Sequence, residues 1–221
     1  FSTLKGGNWG KPTYETFSFE LSFFVPHDME SLVRKCGGEK AFTQRLDTFF
    51  THKIWDQRYH IGLFQIANEP GFLIPTLYNY VNQQNKTAKI VRYILKNRYK
   101  TTRDGIPGND DSGSMSAWYI FHSLGFYPNA GQDVYLISSP IFKETIIHLE
   151  NGKALKIVTK KNNDKNIYIQ SATLNGKPLT KNWFRHGDIS EGGTLEFIMG
   201  PKPSKWSQNG ELPPSMSNNH R

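Results

Sequence analysis

The spacing of the apolar residues changes at Pro128, and this change constrains the fold more than any other feature of the 221-residue sequence. Before Pro128 the apolar residues recur every three or four positions, which is typical of helices that bury one face. After Pro128 they form short β-branched or alternating runs, which are typical of strands. Helices followed by strands predict the α+β class, built as two packed layers or subdomains.

Four helices are predicted before Pro128. Asp28 is the expected N-cap of the first, and Gly37-Gly38 ends it. The fourth is expected to run from Ser114 to Leu124. The apolar faces of the last three consist of Phe42, Leu46, Phe49 and Phe50; of Ala88, Val91, Ile94 and Leu95; and of Met115, Trp118, Tyr119 and Phe121.

Five strands are predicted after Pro128, and two Asn-Gly pairs indicate hairpins between some of them. We therefore expect an antiparallel sheet. We therefore predict three regions along the chain: a helical region over residues 1–128, a β-rich region over residues 129–200 and an irregular tail over residues 201–221. The predicted strands are Val134–Ile137, Glu144–Leu149, Leu155–Thr159, Ile167–Leu174 and Thr194–Met199.

Composition excludes several classes of protein. Hydrophobic residues make up 37% and charged residues 21% of the chain, as in ordinary folded proteins rather than disordered ones. The single Cys36 excludes an intramolecular disulfide and a multi-cysteine zinc site. No apolar run is long enough to span a membrane. The net charge of +8 suggests nucleic acid, but the basic residues are dispersed and no binding motif is present, so we expect no such partner.

Glu15 stands before a segment rich in phenylalanine. A carboxyl group beside so many rings is expected to be partly desolvated, which raises its pKa and suits a general acid. The alternative is a surface glutamate that precedes a buried amphipathic segment.

Asn68 and Glu69 lie in a turn that Pro70-Gly71 completes. Adjacent amide and carboxylate oxygens are ligands of the kind that calcium prefers. A plain Pro-Gly turn is the alternative.

Asn109, Asp110 and Asp111 form a polar series between glycines, directly before the fourth predicted helix. Carboxylates at a helix N-terminus cap its free amides and complement its dipole. Capping explains one acid well but does not explain the series. The alternative is a site in which the glycines permit a strained turn that aims a carboxylate into a cleft. Two carboxylates on either side of a sugar carry out glycoside hydrolysis, and only the fold can bring Glu15 and Asp111 together.

These segments, in this order, resemble the C-terminal part of the family 92 glycoside hydrolases, the calcium-dependent exo-acting α-mannosidases. The resemblance continues almost to the end of the chain. The matching residues are Tyr14-Glu15, then Phe23-Phe24-Val25-Pro26-His27-Asp28; Asn68-Glu69-Pro70-Gly71; Gly105 to Asp111, then Met115-Ser116-Ala117-Trp118-Tyr119; and Leu124-Gly125-Phe126-Tyr127-Pro128.

The resemblance implies an inverting hydrolase that releases terminal α-linked mannose, with the α-1,2 linkage expected. It implies that Glu15 is the general acid and Asp111 the general base, with room for water between them, about 6.5–9.5 Å. Asn68 and Glu69 would hold calcium. The residues implied for substrate binding are His27, Asp28, Asn109 and Asp110.

Family members are much longer, so the resemblance implies the later part of an (α/α)6 helical toroid followed by antiparallel strands. The sequence begins at Phe1 without the features of a signal peptide, so it is expected either to be a mature product or to start inside a longer polypeptide. The resemblance favours the second, with the N-terminal region of that polypeptide needed for function. The partner is expected to be a mannose-containing glycan, which favours the secretory pathway or the extracellular space. The alternative function is an inactive carbohydrate-binding or structural fragment.

Overall fold

The computed structural model describes Thr16, residues 18–51 and residues 60–220. Helices occupy most of the first half of this part, and two of the four described 3₁₀ helices lie between the third and fourth α-helices. The α-helices are α1 (Ser18–Leu21), α2 (Met29–Lys35), α3 (Glu39–Thr51), α4 (Gln84–Asn97) and α5 (Ser114–Leu124). The 3₁₀ helices are Glu69–Gly71, Ile74–Val81, His186–Asp188 and Met216–His220.

The four predicted helices are confirmed as α2 to α5. The carboxylate of Asp28 accepts a hydrogen bond from the Ser31 amide at 3.3 Å, so Asp28 caps α2 as predicted. Helix α5 has the predicted bounds. Helix α1 and the 3₁₀ helix that begins at Met216 were not predicted, because both are too short to show a period.

Short strands follow, and several of them end within a residue or two of their predicted bounds. The described strands are β1 (His60–Ile61), β2 (Phe64–Gln65), β3 (Phe126–Pro128), β4 (Val134–Ile137), β5 (Glu144–His148), β6 (Ala154–Lys160), β7 (Tyr168–Leu174), β8 (Lys177–Pro178), β9 (Trp183–Arg185) and β10 (Gly193–Gly200).

The strands form three sheets: β1-β2, β3-β4-β9 and β5-β6-β10-β7-β8. Both Asn-Gly pairs lie in hairpin turns, the first between β5 and β6 as predicted and the second between β7 and β8, a short strand that was not predicted. The expected antiparallel pairing needs one correction, because β10 pairs in parallel with β6 and antiparallel with β7. Strand β10 enters the sheet between two strands that precede it in the chain, and local hairpin signals cannot reveal such an insertion. The α+β class is confirmed.

The described chain divides into two compact units. The first contains the described residues up to Pro75 together with Lys96–Trp118 and the segment from Ser215. The second contains Thr76–Leu95 and Tyr119–Pro214. The domain boundaries predicted at residues 128 and 200 remain a prediction. No helix in the described part is long and apolar enough to cross a membrane.

The first unit is built around a cluster of phenylalanine rings. Phe49 of α3 is fully buried, and its ring centroid lies 5.2 Å from that of Phe23 and 5.5 Å from that of Phe19. Aromatic contacts at these distances add to the free energy gained by burying the rings. Phe64 of β2 completes the cluster from the other side, so α1, α3 and β2 are held together by aromatic packing.

In the second unit, both larger sheets contribute to one apolar core. Phe126, Ile137 and Phe184 come from the three-stranded sheet, while Ile157 and Phe197 come from the five-stranded sheet. All five side chains are at most 2% exposed. Burial on this scale is the main favourable contribution to folding of the unit.

A buried amide network lies beside this core. Asn79, in the 3₁₀ helix Ile74–Val81, is fully buried and donates to the carbonyls of Ile137 and Asn182 at 2.8 and 3.0 Å. Its side-chain oxygen accepts from the Thr87 hydroxyl at 2.8 Å. The Asn182 amide donates in return to the Asn79 carbonyl at 3.1 Å. Buried polar groups that are satisfied in this way specify one arrangement of the segments they join.

In the first unit, Asp28 also fastens the C-terminal segment. Its carboxylate accepts from the Ser217 hydroxyl at 2.6 Å and from the Ser217 amide at 3.3 Å. The Met216 amide donates to the His27 carbonyl at 2.9 Å, and the Ser215 hydroxyl accepts from the Glu30 amide at 2.8 Å. The hydrogen bond from Ser217, together with those from Ser31, lowers the pKa of Asp28 from 3.8 to about 2.

Replacing Asp28 should therefore reveal a pH-dependent loss of stability. We expect Asp28→Ala to lower the free energy of unfolding by about 1–2 kcal/mol at pH 7, because a helix cap and a charged acceptor are both lost. The carboxylate has a lowered pKa in the fold, so its contribution is present above about pH 4 and is lost as the pH falls toward 2. Denaturant unfolding of wild type and variant between pH 7 and 2 measures this difference, and a gap that does not narrow in acid would contradict it.

Candidate functional site

The first unit contains a polar cleft of about 950 Å³. Its walls come from the segment before and after Ala67, from the end of α4 and the residues that follow it, and from the loop before α5. The lining residues are Gln65, Ala67, Asn68, Asn97, Arg98, Lys100, Arg103, Asp104, Ile106, Pro107, Gly108, Asn109, Asp110 and Asp111. Carboxylates, amides and cations in one concave surface can form many hydrogen bonds to a polyhydroxylated ligand.

Gly108 lets two of these walls meet. A Cβ at this position would lie 2.7 Å from the Cβ of Ala67 and 2.8 Å from its carbonyl oxygen. Such distances are too short for any side chain, so the close approach requires glycine. The contact places the Asn68 segment beside the loop that carries Asn109, Asp110 and Asp111.

Asp110 caps α5. One carboxylate oxygen accepts from the Ser116 amide at 2.8 Å, and the other accepts from the Ser116 hydroxyl at 2.8 Å. The capping function that the sequence suggested for this series therefore belongs to Asp110. The cap fixes the start of α5 and hence the position of the loop just before it.

Asp111 lies in a run of left-handed backbone. The φ angles of Asp111, Ser112 and Gly113 are +40°, +63° and +89°. Asparagine, aspartate and glycine adopt this conformation at the smallest cost, so the strain in this run falls mainly on Ser112. Asp111 is exposed and lines the cleft. This position agrees with the second alternative from the sequence, a strained turn that directs a carboxylate into a cleft.

Ser114 connects the two loops. Its hydroxyl lies 2.8 Å from Oε1 of Glu69 and 3.0 Å from the carbonyl oxygen of Asp110. One hydroxyl proton is available, and the shorter contact to a carboxylate is the stronger bond. Trp118, one turn further along α5, donates its indole N–H to the carbonyl of Phe72 at 3.0 Å. The start of α5 is thus tied at two points to the segment that contains Asn68 and Glu69.

Asn68 and Glu69 fit a calcium ion in the type of donor that they supply. Amide and carboxylate oxygens suit this ion, which takes about six to eight oxygen ligands. Within the part of the chain that the structure describes, no group of three His, Cys, Asp or Glu side chains could hold a metal ion. These two residues would therefore supply only part of a calcium shell, and the remaining oxygens would have to come from amides, carbonyls, water or substrate.

The structure brings together some of the predicted residues. Asn68, Asn109, Asp110 and Asp111 line one cleft, and Glu69, which is not among the lining residues, accepts a hydrogen bond from Ser114. The residues that line this cleft do not include the exposed His27 or Asp28, and the Asp28 carboxylate binds Ser31 and Ser217. Glu15 lies outside the described residues, so its predicted place opposite Asp111 stays a prediction.

Sequence reasoning missed the cationic side of the cleft, formed by Arg98, Lys100 and Arg103. From the sequence, the basic residues were described only as dispersed, a pattern that is typical of a solvated surface. Nothing in their spacing distinguishes a cleft wall from such a surface.

Sequence reasoning also missed Glu20. The argument that a carboxyl group is desolvated was applied to Glu15, which lies outside the described residues, and the structure shows that Glu20 of α1 is also a candidate because it is 1% exposed. Burial raises the pKa of Glu20 to about 7, although hydrogen bonds from Thr16 and from the Gln65 amide oppose the rise.

Because its pKa is raised in the fold, Glu20 should make the protein less stable as the pH rises. Its ordinary pKa is 4.5, so the loss begins near pH 4.5 and is complete above about pH 7. Each pKa unit corresponds to about 1.4 kcal/mol, which gives a total of about 3 kcal/mol. We expect wild type to lose about this much stability relative to Glu20→Gln between pH 4.5 and 8, as measured by denaturant unfolding. Parallel stability curves for the two proteins would contradict the assignment.

Comparisons with known proteins identify the chain's relatives. Residues 2–201 match the family described as the Glycosyl hydrolase family 92 catalytic domain. A protein of Arthroderma benhamiae, described as an uncharacterised secreted glycosidase, is 40% identical over 209 residues, which cover 92% of this chain and 26% of that protein.

Two solved structures from Bacteroides thetaiotaomicron are similar throughout most of this chain. A family 92 α-mannosidase in complex with mannoimidazole is 32% identical, with a TM-score of 0.87 over 92% of this chain and 28% of its own. A family 92 inverting mannosidase is 30% identical, with a TM-score of 0.82 over 93% of this chain and 30% of its own. These likenesses confirm the predicted partial helical toroid followed by strands.

The chain thus spans between a quarter and a third of the length of the relatives that it matches. The family match nevertheless covers all the motifs on which the resemblance was based, from Tyr14-Glu15 to Leu124-Gly125-Phe126-Tyr127-Pro128. From the sequence, the fold and the family match together, we conclude that this chain belongs to glycoside hydrolase family 92.

Proposed function

We propose that this chain is part of a longer enzyme that hydrolyses terminal α-linked mannose, with α-1,2 linkages preferred, by inversion and with the help of calcium. The observation that carries the proposal is the cleft that combines Asn68, Asn109, Asp110 and Asp111 in a family 92 chain. Two similar solved structures are those of an α-mannosidase and of an inverting mannosidase, which favours mannose as the substrate.

In this proposal Asp111 is the general base. Its exposure in the cleft lets its carboxylate accept a proton from water as the water attacks the anomeric carbon. Glu15 is the general acid, and it donates a proton to the glycosidic oxygen as the bond to the anomeric carbon breaks. Inversion requires both residues to act in one step, with water on the face of the sugar opposite the leaving group.

Asn68 and Glu69 would hold the calcium ion. When bound, calcium supplies an electrophilic centre that coordinates sugar hydroxyls and favours a distorted ring. The contact from Ser114 to Glu69 holds the orientation of this carboxylate. Ser114 also contacts the Asp110 carbonyl. The same residue therefore links the Asn68-Glu69 segment to the loop that carries the proposed base Asp111.

Substrate binding is proposed for Asn109 and Asp110 in the cleft and for His27 and Asp28. Asp110 uses one lone pair of each oxygen on Ser116, so its remaining lone pairs are free to accept sugar hydroxyls. The Asp28 carboxylate accepts hydrogen bonds from Ser31 and Ser217. Asp28 would therefore affect substrate binding indirectly, by holding the C-terminal segment in place.

The test is the release of mannose from α-1,2-mannobiose by the complete polypeptide that contains these 221 residues. We expect release to require calcium and to stop on addition of a chelator, with recovery on returning calcium. An α-1,2-linked glucose disaccharide serves as the matched control and should not be cleaved at a comparable rate. Binding of mannobiose without hydrolysis would support the alternative, an inactive carbohydrate-binding protein, and would overturn the proposed activity.

A further inference from the structure

Glu20 has no part in the proposed reaction, yet it is a carboxyl group with only 1% of its surface exposed. A buried charge of this kind is costly and persists where its contacts compensate for it. Its place in the fold suggests what it does. It stands in α1, which directly follows the segment of the proposed acid Glu15, and the rings of Phe19 and Phe23 hold α1 against Phe49.

Both oxygens of the carboxyl group are engaged. Oε2 accepts from the Thr16 hydroxyl at 2.5 Å, and Oε1 accepts from the Gln65 amide at 3.2 Å. Thr16 is the residue after Glu15, and Gln65 lines the cleft. One side chain therefore links the chain beside the proposed acid to a wall of the cleft.

The Glu20 carboxyl group also lies close to the backbone of Gly71. A Cβ at this position would lie 2.6 Å from Oε1 of Glu20. Gln65 and Gly71 are the two ends of the segment 65–71, which contains Asn68 and Glu69. Glu20 thus touches both ends of the segment that carries the proposed calcium ligands.

We propose that Glu20 is a positioning residue, which fixes the segment 65–71 relative to the chain that follows Glu15. The inference rests on the proposed function, because the segment matters through Asn68 and Glu69. Glu20 does not itself reach the sugar, since the residues that line the cleft do not include it. A displacement of the segment by about 1 Å would lower the rate by up to about a hundredfold.

The experiment compares Glu20→Ala with Glu20→Gln in the complete polypeptide. The amide oxygen of glutamine still accepts from the Gln65 amide, whereas alanine removes both contacts. We expect Glu20→Ala to lower kcat/KM on α-1,2-mannobiose about 10- to 100-fold and to raise the calcium concentration needed for half-maximal rate. Glu20→Gln should stay within about threefold of wild type. Glu191→Gln, an exposed glutamate of the second unit, is the control.

A second variant covers the case in which Glu20→Ala does not fold. Gly71→Ala places a methyl group against Oε1 and should displace the same carboxyl group. Its loss of activity should match that of Glu20→Ala in direction, and the combined variant should lose less than the product of the two single losses.

Hydrogen exchange separates this inference from the proposed function. Backbone amides of residues 65–71 should exchange faster in Glu20→Ala or Gly71→Ala than in wild type and Glu20→Gln, even if no mannosidase activity is found. Unchanged exchange and activity in these variants would overturn the positioning role. Activity as low in Glu20→Gln as in Glu15→Gln, with unchanged exchange, would also overturn it, because Glu20 would then act on the substrate as an acid or base.

Discussion

Asp111→Asn is expected to lower kcat/KM on α-1,2-mannobiose by about 10²–10⁴-fold, the range that general acid–base catalysis contributes. The amide cannot accept the proton of the attacking water. Asparagine is the informative substitution because Asp111 has a φ of +40°, a conformation that asparagine tolerates and alanine does not. The loss should appear in kcat, with a small change in KM, and is measured by initial rates over a range of substrate concentrations.

Two control measurements show whether the loss of activity is specific to Asp111. Asp133→Asn, at a surface aspartate of the second unit that pairs with Arg185, should leave kcat/KM unchanged. Thermal unfolding of Asp111→Asn should match wild type within a few degrees, because the exposed carboxylate makes little contribution to packing. A kcat/KM close to the wild-type value would place the base elsewhere.

Asn79→Ala is expected to lower the free energy of unfolding by about 3–5 kcal/mol. The substitution removes three side-chain hydrogen bonds and leaves the Ile137 and Asn182 carbonyls and the Thr87 hydroxyl without this partner. Each buried group that loses its partner costs about 1–3 kcal/mol. Denaturant unfolding of the protein measures the change.

Asn151→Ala is the matched control for this loss. Asn151 is exposed, and its side chain also bonds to backbone groups, the Ser190 carbonyl at 2.9 Å and the Lys153 amide at 3.0 Å. Water can replace these bonds at the surface, so we expect a loss below about 1 kcal/mol. Equal losses for Asn79→Ala and Asn151→Ala would show that burial of the network does not matter.

Local patterns predicted the helices well because their signals lie within one or two turns. Helix α5 begins and ends as expected, since its cap residue Asp110 and its terminating Gly125 both lie next to it in the sequence. Asp28 was predicted as the N-cap of α2 for the same reason.

Long-range contacts account for what the sequence could not predict. Strand β10 is inserted between β6 and β7. Signals between strands that are neighbours in the sequence predict antiparallel pairing, so they could not reveal this insertion. Glu20 contacts residues that follow it by 45 positions or more in the sequence, Gln65 and Gly71. The run of aromatic residues led to a prediction for Glu15, which stays a prediction, and gave no sign that Glu20 is buried.

The candidate site was predicted in part: several of its residues were identified from the sequence, but their chemical roles were not established. The resemblance to family 92 identified Asn68 and Asp111 as parts of one site, and the fold places both in one cleft through the approach of Gly108 to Ala67. The chemical roles of these residues depend on charges, protons and ligands that neither spacing nor backbone geometry defines. Those roles, and calcium with them, remain proposals.

The anomeric form of the first product tests the central proposal most directly. Proton NMR of the complete polypeptide acting on an α-mannoside follows the anomers of mannose before they interconvert in water. Inversion by Asp111 and Glu15 predicts that β-mannose appears first and that α-mannose follows only through slow interconversion. Initial release of α-mannose would contradict the proposed pair of acid and base, and no release of mannose would contradict the proposed enzyme.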